Sequence, residues 1–216
     1  MAGTAKGKAA HTQTLVLLVR HGRTPTTGSV LPGRAKGLHL SPEGKAEAEA
    51  VSLRLGGVPI TAIYASPLER ARETAAPLSK SLSMPVRVHR GLVECEFGDW
   101  TGRKLADLGK LPEWTTVQKY PSGFRFPNGE SFSEMQTRIT GAIAELVAKH
   151  PEATIALFSH ADPIKAAVAH ALGTHLDLFQ RISISTCSVT AIAYGASGPN
   201  VLTVNETGNL AALKPS

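Results

Sequence analysis

The chain has 216 residues, with 23 lysines and arginines against 17 aspartates and glutamates, and therefore a formal net charge of +6. At 42% hydrophobic and 19% charged residues, it has enough apolar side chains for a sizeable core and too few charges for a disordered polyelectrolyte. The longest apolar run, residues 15–19, is far shorter than the ~20 residues of a membrane-spanning helix, and two cysteines cannot form a disulfide scaffold. We therefore predict a soluble, cytoplasmic globular protein with no membrane partner.

The positive charge does not form a nucleic-acid-binding tract. Lys6 and Lys8 lie in a segment without acidic residues, and the chain contains no run of five lysines or arginines and no interleaved aromatic residues that could stack on bases. We expect no nucleic-acid partner. Two interpretations of the remaining charge stay open: an ordinary solvated surface, or several arginines that converge on one anionic ligand.

The first half of the chain predicts alternating strands and helices after a tail. Residues 1–14 lack apolar periodicity and are predicted to be a disordered basic tail. Ser41 and Ser66 are placed as caps of two helices, because serine hydroxyls accept hydrogen bonds from the first amides of a helix. The predicted strands cover 15–19, 60–65 and 86–89, and the predicted helices cover 42–55 and 67–82.

The second half of the chain begins with a long irregular segment, 90–130, in which we expect loops and short helices. The later predicted helices cover 131–149 and 163–172, and the later predicted strands cover 154–158, 182–185, 188–193 and 201–204. Strands that alternate with helices indicate an α/β layered fold with a mainly parallel sheet. No repeat or linker interrupts the pattern, so we predict a single domain over 15–210 and a C-terminal tail over 211–216.

Basic residues and histidines follow the ends of three predicted strands. The first strand leads directly into Arg20 and His21, and the strand over 154–158 leads to His160. Arg70 and Arg72 lie in the first turns of the helix after the second strand. Because ligands bind beyond the carboxyl ends of parallel strands, we expect these side chains to converge at one rim of the sheet.

Such a cluster would suit phosphate chemistry. Arginine side chains bind phosphate oxygens through paired N–H groups, and a helix N-terminus adds backbone donors. A neutral histidine can attack phosphorus, and a buried carboxylic acid such as Glu94 can protonate the leaving oxygen. Each residue alone has a structural alternative, since a histidine after a strand often packs in the core and a helical arginine is often surface charge.

Five short motifs occur along the chain: LVRHGRT (18–24), LHLSPEGKAEA (38–48), SPLERARETA (66–75), LVECEFGDWTG (92–102) and FSHADPIKA (158–166). In this order they resemble the histidine phosphatase superfamily, the phosphoglycerate-mutase-like group that forms a phosphohistidine intermediate. The resemblance covers nearly all of 15–206. It implies a three-layer α/β/α sandwich with a phosphoglycerate-mutase-like fold.

The resemblance also implies roles for individual residues. His21 matches the nucleophile that accepts the phosphoryl group. Arg20, Arg70 and His160 match the residues that hold this group, and Glu94 matches the proton donor. No metal or other cofactor is implied, because the arginines supply the positive charge.

Some positions do not match a catalytic residue of the family. Arg72 and Glu96 match no catalytic position. Thr27 stands where many members carry an asparagine that contacts the phosphate, and a hydroxyl of Thr27 or Thr24 would substitute for it. We therefore place Thr27 in the substrate site.

A second departure follows His160, where Ala161-Asp162 replace the common Gly-Gly pair. Ala161 is placed in the substrate site. The carboxylate of Asp162 would be unfavourable beside an anionic substrate unless it were paired with Lys165 or Arg34 or pointed away. Asp162 could equally cap the helix that starts at Pro163.

The resemblance favours a phosphatase over a mutase. The segments 23–28 and 94–102 lack the family's mutase signature, whereas 100–108, 112–114 and 126–131 resemble a bacterial branch of broad acid phosphatases. We expect metal-independent hydrolysis of a small phosphorylated metabolite, and a homodimer is possible. The alternatives are a phosphoglycerate or sugar-phosphate mutase and a non-catalytic phosphate-binding protein. Candidate selectors of the leaving group are Lys104, Lys119, Phe124 and Arg125.

Overall fold

The computed structural model describes residues 13–208, which contain a six-stranded sheet. The strands are β1 (Thr14–Arg20), β2 (Ile60–Ala65), β3 (Val86–Val88), β4 (Thr154–Ser159), β5 (Val189–Gly195) and β6 (Gly198–Glu206). Their order across the sheet is β3-β2-β4-β1-β5-β6. The strands β1 to β4 pair in parallel, and β5 and β6 are added antiparallel at one side. Residues 1–12 of the predicted tail over 1–14, and the whole predicted tail over 211–216, lie outside the described residues. The prediction is wrong at Thr14, which is the first residue of β1.

Helices cover both faces of this sheet. They are α1 (Pro42–Leu55), α2 (Glu69–Leu82), α3 (Leu105–Leu108), α4 (Glu113–Lys119), α5 (Phe132–Lys149) and α6 (Ala161–Ala171). The side chains of β1 alternate between the two faces: Leu17 and Val19 pack with α1 and α2, whereas Val16 and Leu18 pack with α5 and α6. The result is the predicted three-layer α/β/α arrangement. Within residues 13–208, no helix is long and apolar enough to cross a membrane.

The pairing of β1 with β4 positions the site. Every residue of β4 is buried, as expected for a parallel strand that is covered by helices on both faces. The parallel register sets Arg20 opposite Ser159. The next residues along the two strands, His21 and His160, therefore emerge side by side at the carboxyl rim of the sheet.

Sequence-based predictions are wrong for one strand and for the starts of two helices; one of these helices, α6, begins at Ala161 rather than at Pro163. Residues 182–185 are not a strand; they follow a 3₁₀ turn (Leu176–Arg181) in irregular backbone, and the neighbours of β5 in the sheet are β1 and β6. Ile184 is nonetheless buried, so its apolar character reflects packing against the core rather than a strand. Helix α2 begins at Glu69 rather than at Pro67.

The two predicted helix caps have different outcomes. The Ser41 hydroxyl accepts a hydrogen bond from the Gly44 amide at 3.1 Å and caps α1, as predicted. Ser66 does not cap α2, because Leu68 occupies the cap position. The Ser66 hydroxyl instead accepts a long, 3.3 Å bond from the Leu68 amide and lies 2.8 Å from His160 Nε2.

Candidate active site

The site is built around His21, which is only 5% exposed. The His21 amide donates to the Ser159 carbonyl at 3.0 Å, which extends the pairing of β1 and β4 by one step. The imidazole centroids of His21 and His160 are 5.1 Å apart. The continuing ladder therefore brings both histidines into one cluster, as the strand-end pattern predicts.

The hydrogen-bond partners of His21 determine its tautomer. Nδ1 lies 2.8 Å from the Gly22 carbonyl, which can only accept, so Nδ1 carries the hydrogen. Arg70 Nε donates to Nε2 at 3.3 Å. Burial, together with the charges of Arg70 and Arg20, lowers the pKa of His21 to about 3. The imidazole is thus neutral near neutral pH, with its lone pair on Nε2.

Two glycines allow the His21 loop to lie against helix α1. A Cβ atom on Gly22 would be 2.6 Å from the Gly44 carbonyl oxygen, and one on Gly44 would be 1.9 Å from the Arg23 carbonyl oxygen. The Gly22 amide also donates to Thr74 Oγ1 of α2 at 2.9 Å. The loop is therefore held between α1 and α2, so a side chain at Gly22 would displace His21 by steric clash with Gly44.

Arg70 and Arg20 place two guanidinium groups beside His21. Arg70 is fully buried, and its Nη2 donates to the Gly33 carbonyl at 2.8 Å. Arg20 Nη1 donates to the Ile184 carbonyl at 2.6 Å. Burial is the largest cause of the lowered pKa of both arginines, which shows that each cation is held where solvent stabilises it poorly.

His160 belongs to the same cluster and is hydrogen-bonded to Ser66. His160 is fully buried, and its Nε2 contacts the Ser66 hydroxyl. The Ser66 hydroxyl accepts the Leu68 amide and can either donate to Nε2 or accept from it; where it donates, the ring hydrogen of His160 is on Nδ1. Burial lowers the pKa of His160 well below its usual value, so its ring is neutral.

Three buried nitrogen atoms of this cluster have no hydrogen-bond partner within residues 13–208: Arg20 Nε, Arg70 Nη1 and His160 Nδ1. A buried donor without an acceptor costs about 1–3 kcal/mol. The two guanidinium nitrogens are such donors and, with His160 Nδ1 in the same cluster as a neutral histidine, they form a site suited to an anionic ligand with several acceptor oxygens.

Glu94 supplies a carboxyl group at the same place. It is 7% exposed, and its Oε1 accepts the Cys95 amide at 2.9 Å. Burial, followed by the negative charge of Asp162, raises the pKa of Glu94 to about 7. The carboxyl group can therefore carry a proton near neutral pH. Burial also raises the pKa of the Cys95 thiol, consistent with a packed, unreactive cysteine.

Part of this cluster opens into a pocket of about 200 Å³, but Arg70 and His160 are not among the residues that line it. Arg20, His21 and Glu94 line one part of it, and the loop 24–32 forms a wall. The rest of the lining includes Phe97 and Leu105. Among residues 13–208, no three His, Cys, Asp or Glu side chains are grouped so that they could hold a metal ion.

Thr27 and Ala161, which we predicted to lie in the substrate site, both line this pocket. Thr27 Oγ1 accepts the Thr24 amide at 2.8 Å, so its hydroxyl is fixed within the loop. Ala161 is the first residue of α6. The first four N–H groups of a helix lack helical partners, so the positive end of α6 meets the pocket at Ala161.

Asp162 is not the cap of α6, contrary to one of its two predicted explanations. His160 occupies the cap position, and Asp162 is the second residue of the helix. The carboxylate pairs with Lys165, at 3.3 Å between Oδ1 and Nζ, which is one of the two proposed pairings. The other candidate, Arg34, binds elsewhere.

Arg34 belongs to an ion-pair cluster that the sequence analysis missed. Arg34 Nε donates to the Glu94 carbonyl at 2.8 Å, and Arg138 Nη2 does so at 3.3 Å. Glu130 joins the two arginines, accepting from Arg34 Nη2 at 3.0 Å and from Arg138 Nε at 2.9 Å. The available signal was a charged residue, Arg138, beside the apolar positions Met135 and Ile139 of α5.

Replacing Glu130 with alanine should lower the free energy of unfolding by about 3 kcal/mol, because two partly buried guanidinium groups lose their shared carboxylate. The backbone of Glu94 should loosen as well, since both arginines hold it. Urea unfolding monitored by tryptophan fluorescence measures the effect. The exposed pair Asp107–Lys110 offers the control, and Asp107→Ala should change stability by less than about 1 kcal/mol. Equal losses in the two variants would contradict the role of the cluster.

The four candidate selectors do not line the pocket. Phe124 packs against Trp100 and Phe126, with centroid distances of 5.5 and 5.0 Å. Arg125 pairs with Glu134. From the irregular region around them, Phe97 and Leu105 reach the pocket instead, because the aromatic cluster draws Phe124 into the core.

The two residues that match no catalytic position lie away from the reacting groups. Arg72 is exposed on α2. Glu96 pairs with Arg34 at 3.1 Å, between Oε2 and Nη1. Neither lines the pocket.

The molecule is an α/β protein that gathers a neutral histidine and two buried guanidinium groups where its parallel strands end, an arrangement suited to a phosphate-like anion. The family model described as "Histidine phosphatase superfamily (branch 1)" matches residues 16–207, and the chain belongs to this family. The resemblance noted in the motifs is thereby confirmed, as is the phosphoglycerate-mutase-like fold.

Curated relatives include a phosphatase and a mutase. "Bifunctional protein Rv2228c" of Mycobacterium tuberculosis is 30% identical over 207 residues; the match covers 94% of this chain and 56% of the relative, so the chain spans about half the length of that protein. "Phosphoserine phosphatase 1" of Hydrogenobacter thermophilus is 26% identical, with 90% of this chain and 93% of the relative covered. A 2,3-bisphosphoglycerate-dependent phosphoglycerate mutase of Thermoplasma acidophilum is 26% identical, with coverages of 82% and 86%.

Among solved structures, the mycobacterial glucosyl-3-phosphoglycerate phosphatase Rv2419c superposes with a TM-score of 0.82 at 25% identity. The superposition covers 90% of this chain and 100% of the other. The chain is therefore similar in fold to a phosphatase over nearly its whole described length.

Proposed function

We propose that this chain is a metal-independent phosphatase that hydrolyses phosphomonoesters through a phosphohistidine on His21. The observation that carries the proposal is a set of three buried nitrogens without a hydrogen-bond partner within residues 13–208, clustered with a neutral imidazole: the donors Arg20 Nε and Arg70 Nη1, and the ring nitrogen His160 Nδ1. A phosphoryl group offers oxygens for these donors and a phosphorus atom for the lone pair of Nε2.

The reaction would proceed in two transfers. In the first, His21 Nε2 forms a bond to phosphorus while the ester P–O bond breaks, and the leaving oxygen takes the proton of Glu94. In the second, the Glu94 carboxylate takes a proton from water, whose oxygen bonds to phosphorus as the P–N bond breaks and inorganic phosphate leaves. Arg20, Arg70 and His160 stabilise the charge on the phosphoryl oxygens in both transfers.

The chemistry of Glu94 supports an acid phosphatase. Its carboxyl group donates a proton only below its pKa, and burial has raised that pKa from 4.5 to about 7. The rate should therefore fall as pH rises through neutrality. On the acid side, His21 stays neutral down to about pH 3, so the acidic flank of the bell-shaped profile lies far from physiological pH.

Replacing Glu94 with glutamine should lower kcat for alkyl phosphates about 1,000-fold, because an alkoxide leaving group needs the proton. The loss for p-nitrophenyl phosphate should be roughly tenfold or less, since nitrophenolate leaves without protonation. Measurements of kcat from pH 4 to 9 on both substrates test this prediction. The variant should also lose the decline near neutral pH.

Glu96→Gln is the matched control, two residues away and outside the pocket, and it should keep the parental difference between the two substrates. Equal losses of Glu94→Gln on alkyl and aryl substrates would contradict the proton-donor role.

The mutase alternative rests on the relative that bears that name. A mutase would return an isomerised phosphomonoester and depend on a bisphosphate primer, whereas the proposed hydrolase releases inorganic phosphate without one. Incubation with 3-phosphoglycerate, followed by phosphate detection and separation of the isomers, distinguishes the two. Isomer formation without free phosphate would overturn the hydrolase.

The proposal also includes the location, the domain organisation, the substrate class and the partners of the protein. These are a cytoplasmic location, a single domain over 15–210, a small phosphorylated metabolite as the substrate, no nucleic-acid or membrane partner, and a possible homodimer. Cell fractionation tests the location, and light scattering of the purified chain tests the dimer.

A further inference from the structure

The lining of the pocket carries a negative charge near Glu94, the proposed proton donor to the leaving group. Asp162, the second residue of α6, lines the pocket, and its side chain is 18% exposed. Its partner Lys165 does not line the pocket and also donates to Gln180 Oε1 at 3.0 Å. The ion pair therefore presents its negative member to the pocket and keeps its positive member behind it.

Within residues 13–208, the lining of the pocket offers a leaving group no cation beyond those that hold the phosphoryl group. Among the described residues that line it, Arg20 is the one cation, and its guanidinium lies beside His21. The remaining lining, apart from Asp162 and Glu94, consists of uncharged side chains such as Val30, Leu31 and Leu105. A carboxylate or second phosphate on the leaving group would lose water without gaining a partner there.

The volume of the pocket also restricts the size of the leaving group. Pockets for drug-sized ligands measure about 300–1,000 Å³, whereas this one measures about 200 Å³. Once a phosphoryl group is bound, the remaining space suits a leaving group of a few non-hydrogen atoms.

On the basis of the proposed phosphatase function, we propose that Asp162 makes this site select small phosphomonoesters by the charge of their leaving group. Leaving groups with an ammonium are preferred, neutral alkyl groups follow, and leaving groups with a carboxylate or second phosphate are rejected. A cation gains attraction to the Asp162 carboxylate, and an anion meets repulsion without a compensating partner.

Three substrates of nearly equal size test this order: phosphoethanolamine, ethyl phosphate and phosphoglycolate. The purified full-length chain should show kcat/KM values that fall in this order, with phosphoethanolamine at least about tenfold above phosphoglycolate, the scale of one partly screened charge interaction. Differences in intrinsic reactivity are removed by comparing the ratio of these two kcat/KM values between variants rather than the values themselves.

Two variants should move this ratio in opposite directions. Asp162→Asn removes the charge and should lower the ratio about fivefold or more, whereas Lys165→Met removes the counter-charge and should raise it about threefold. Any effect of Asp162 on Glu94 acts on all three substrates and cancels in the ratio. If Asp162→Asn fails to fold, Lys165→Met still tests the proposal.

The outcomes separate this proposal from the one on which it rests. A parental preference for phosphoglycolate, equal kcat/KM values for the three substrates, or a ratio that neither variant changes would overturn charge selection and leave the phosphatase intact. Release of phosphate from none of the three, nor from p-nitrophenyl phosphate, would overturn the phosphatase itself.

Discussion

Replacing His21 with alanine should reduce the rate of phosphomonoester hydrolysis on the order of 10,000-fold. The remaining rate is the one expected of a site that binds the substrate but has no nucleophile. The reason is that His21 Nε2 carries a lone pair beside Arg70, and burial together with the charges of two arginines keeps the imidazole neutral at working pH. Steady-state release of phosphate from p-nitrophenyl phosphate measures the loss.

A chemical readout accompanies the rate. Brief incubation of the parent chain with a ³²P-labelled substrate, followed by denaturation, should trap an acid-labile, alkali-stable label, as expected of a phosphohistidine, and His21→Ala should trap none. His39→Ala is the matched control, because His39 is exposed and pairs with Glu73 outside the pocket. Label that persists in His21→Ala would assign the nucleophile to another residue.

Replacing Arg70 with methionine should lower kcat/KM roughly 1,000-fold while leaving the stability unchanged or higher. Arg70 is fully buried, and its Nη1 has no partner within residues 13–208. A buried cation without a carboxylate partner destabilises the folded state, and an apolar side chain of similar length removes that cost. The substitution also removes the hydrogen bond from Arg70 Nη2 to the Gly33 carbonyl, and this loss offsets part of the gain in stability.

Urea unfolding and phosphate release, measured on the same preparation, test whether Arg70→Met lowers the activity without lowering the stability. Arg72→Met, two residues further along α2, provides the control: Arg72 is exposed, so both quantities should stay near the parental values. A drop of several kcal/mol in the stability of Arg70→Met would show that the guanidinium stabilises the fold, and that its role is structural.

Much of the fold could be predicted because burial leaves a clear signal in this chain. Strands β1 and β4 are continuous apolar runs, since helices cover both of their faces. Helix α1 has a serine cap and a proline in its first turn, both of which specify a helix start locally. In these segments local propensity and tertiary packing agree, so the sequence pattern was sufficient.

The sequence-based predictions are wrong where a residue makes its main contact with a residue far away in the chain. Ile184 is apolar because it packs on the core, and its segment has no neighbouring strand, so an apolar pattern was mistaken for a strand. Ser66 has the composition of a helix cap, yet its hydroxyl holds His160, which lies 94 residues away in the chain. Local pattern cannot distinguish these uses.

The net charge of +6 likewise depends on both levels: the sequence supplies the charged residues, and the tertiary structure determines what each of them contacts. By itself, the sequence determined the family-like motifs, the strand ends at which His21 and His160 stand, and the presence of enough cations for an anionic ligand. Only the tertiary structure decided how each charge is used: Arg70 is buried beside His21, whereas Arg34 and Arg138 are joined by Glu130 behind Glu94. The physical reason is that charge interactions depend on distance and burial, and both are set by contacts between residues far apart in the chain.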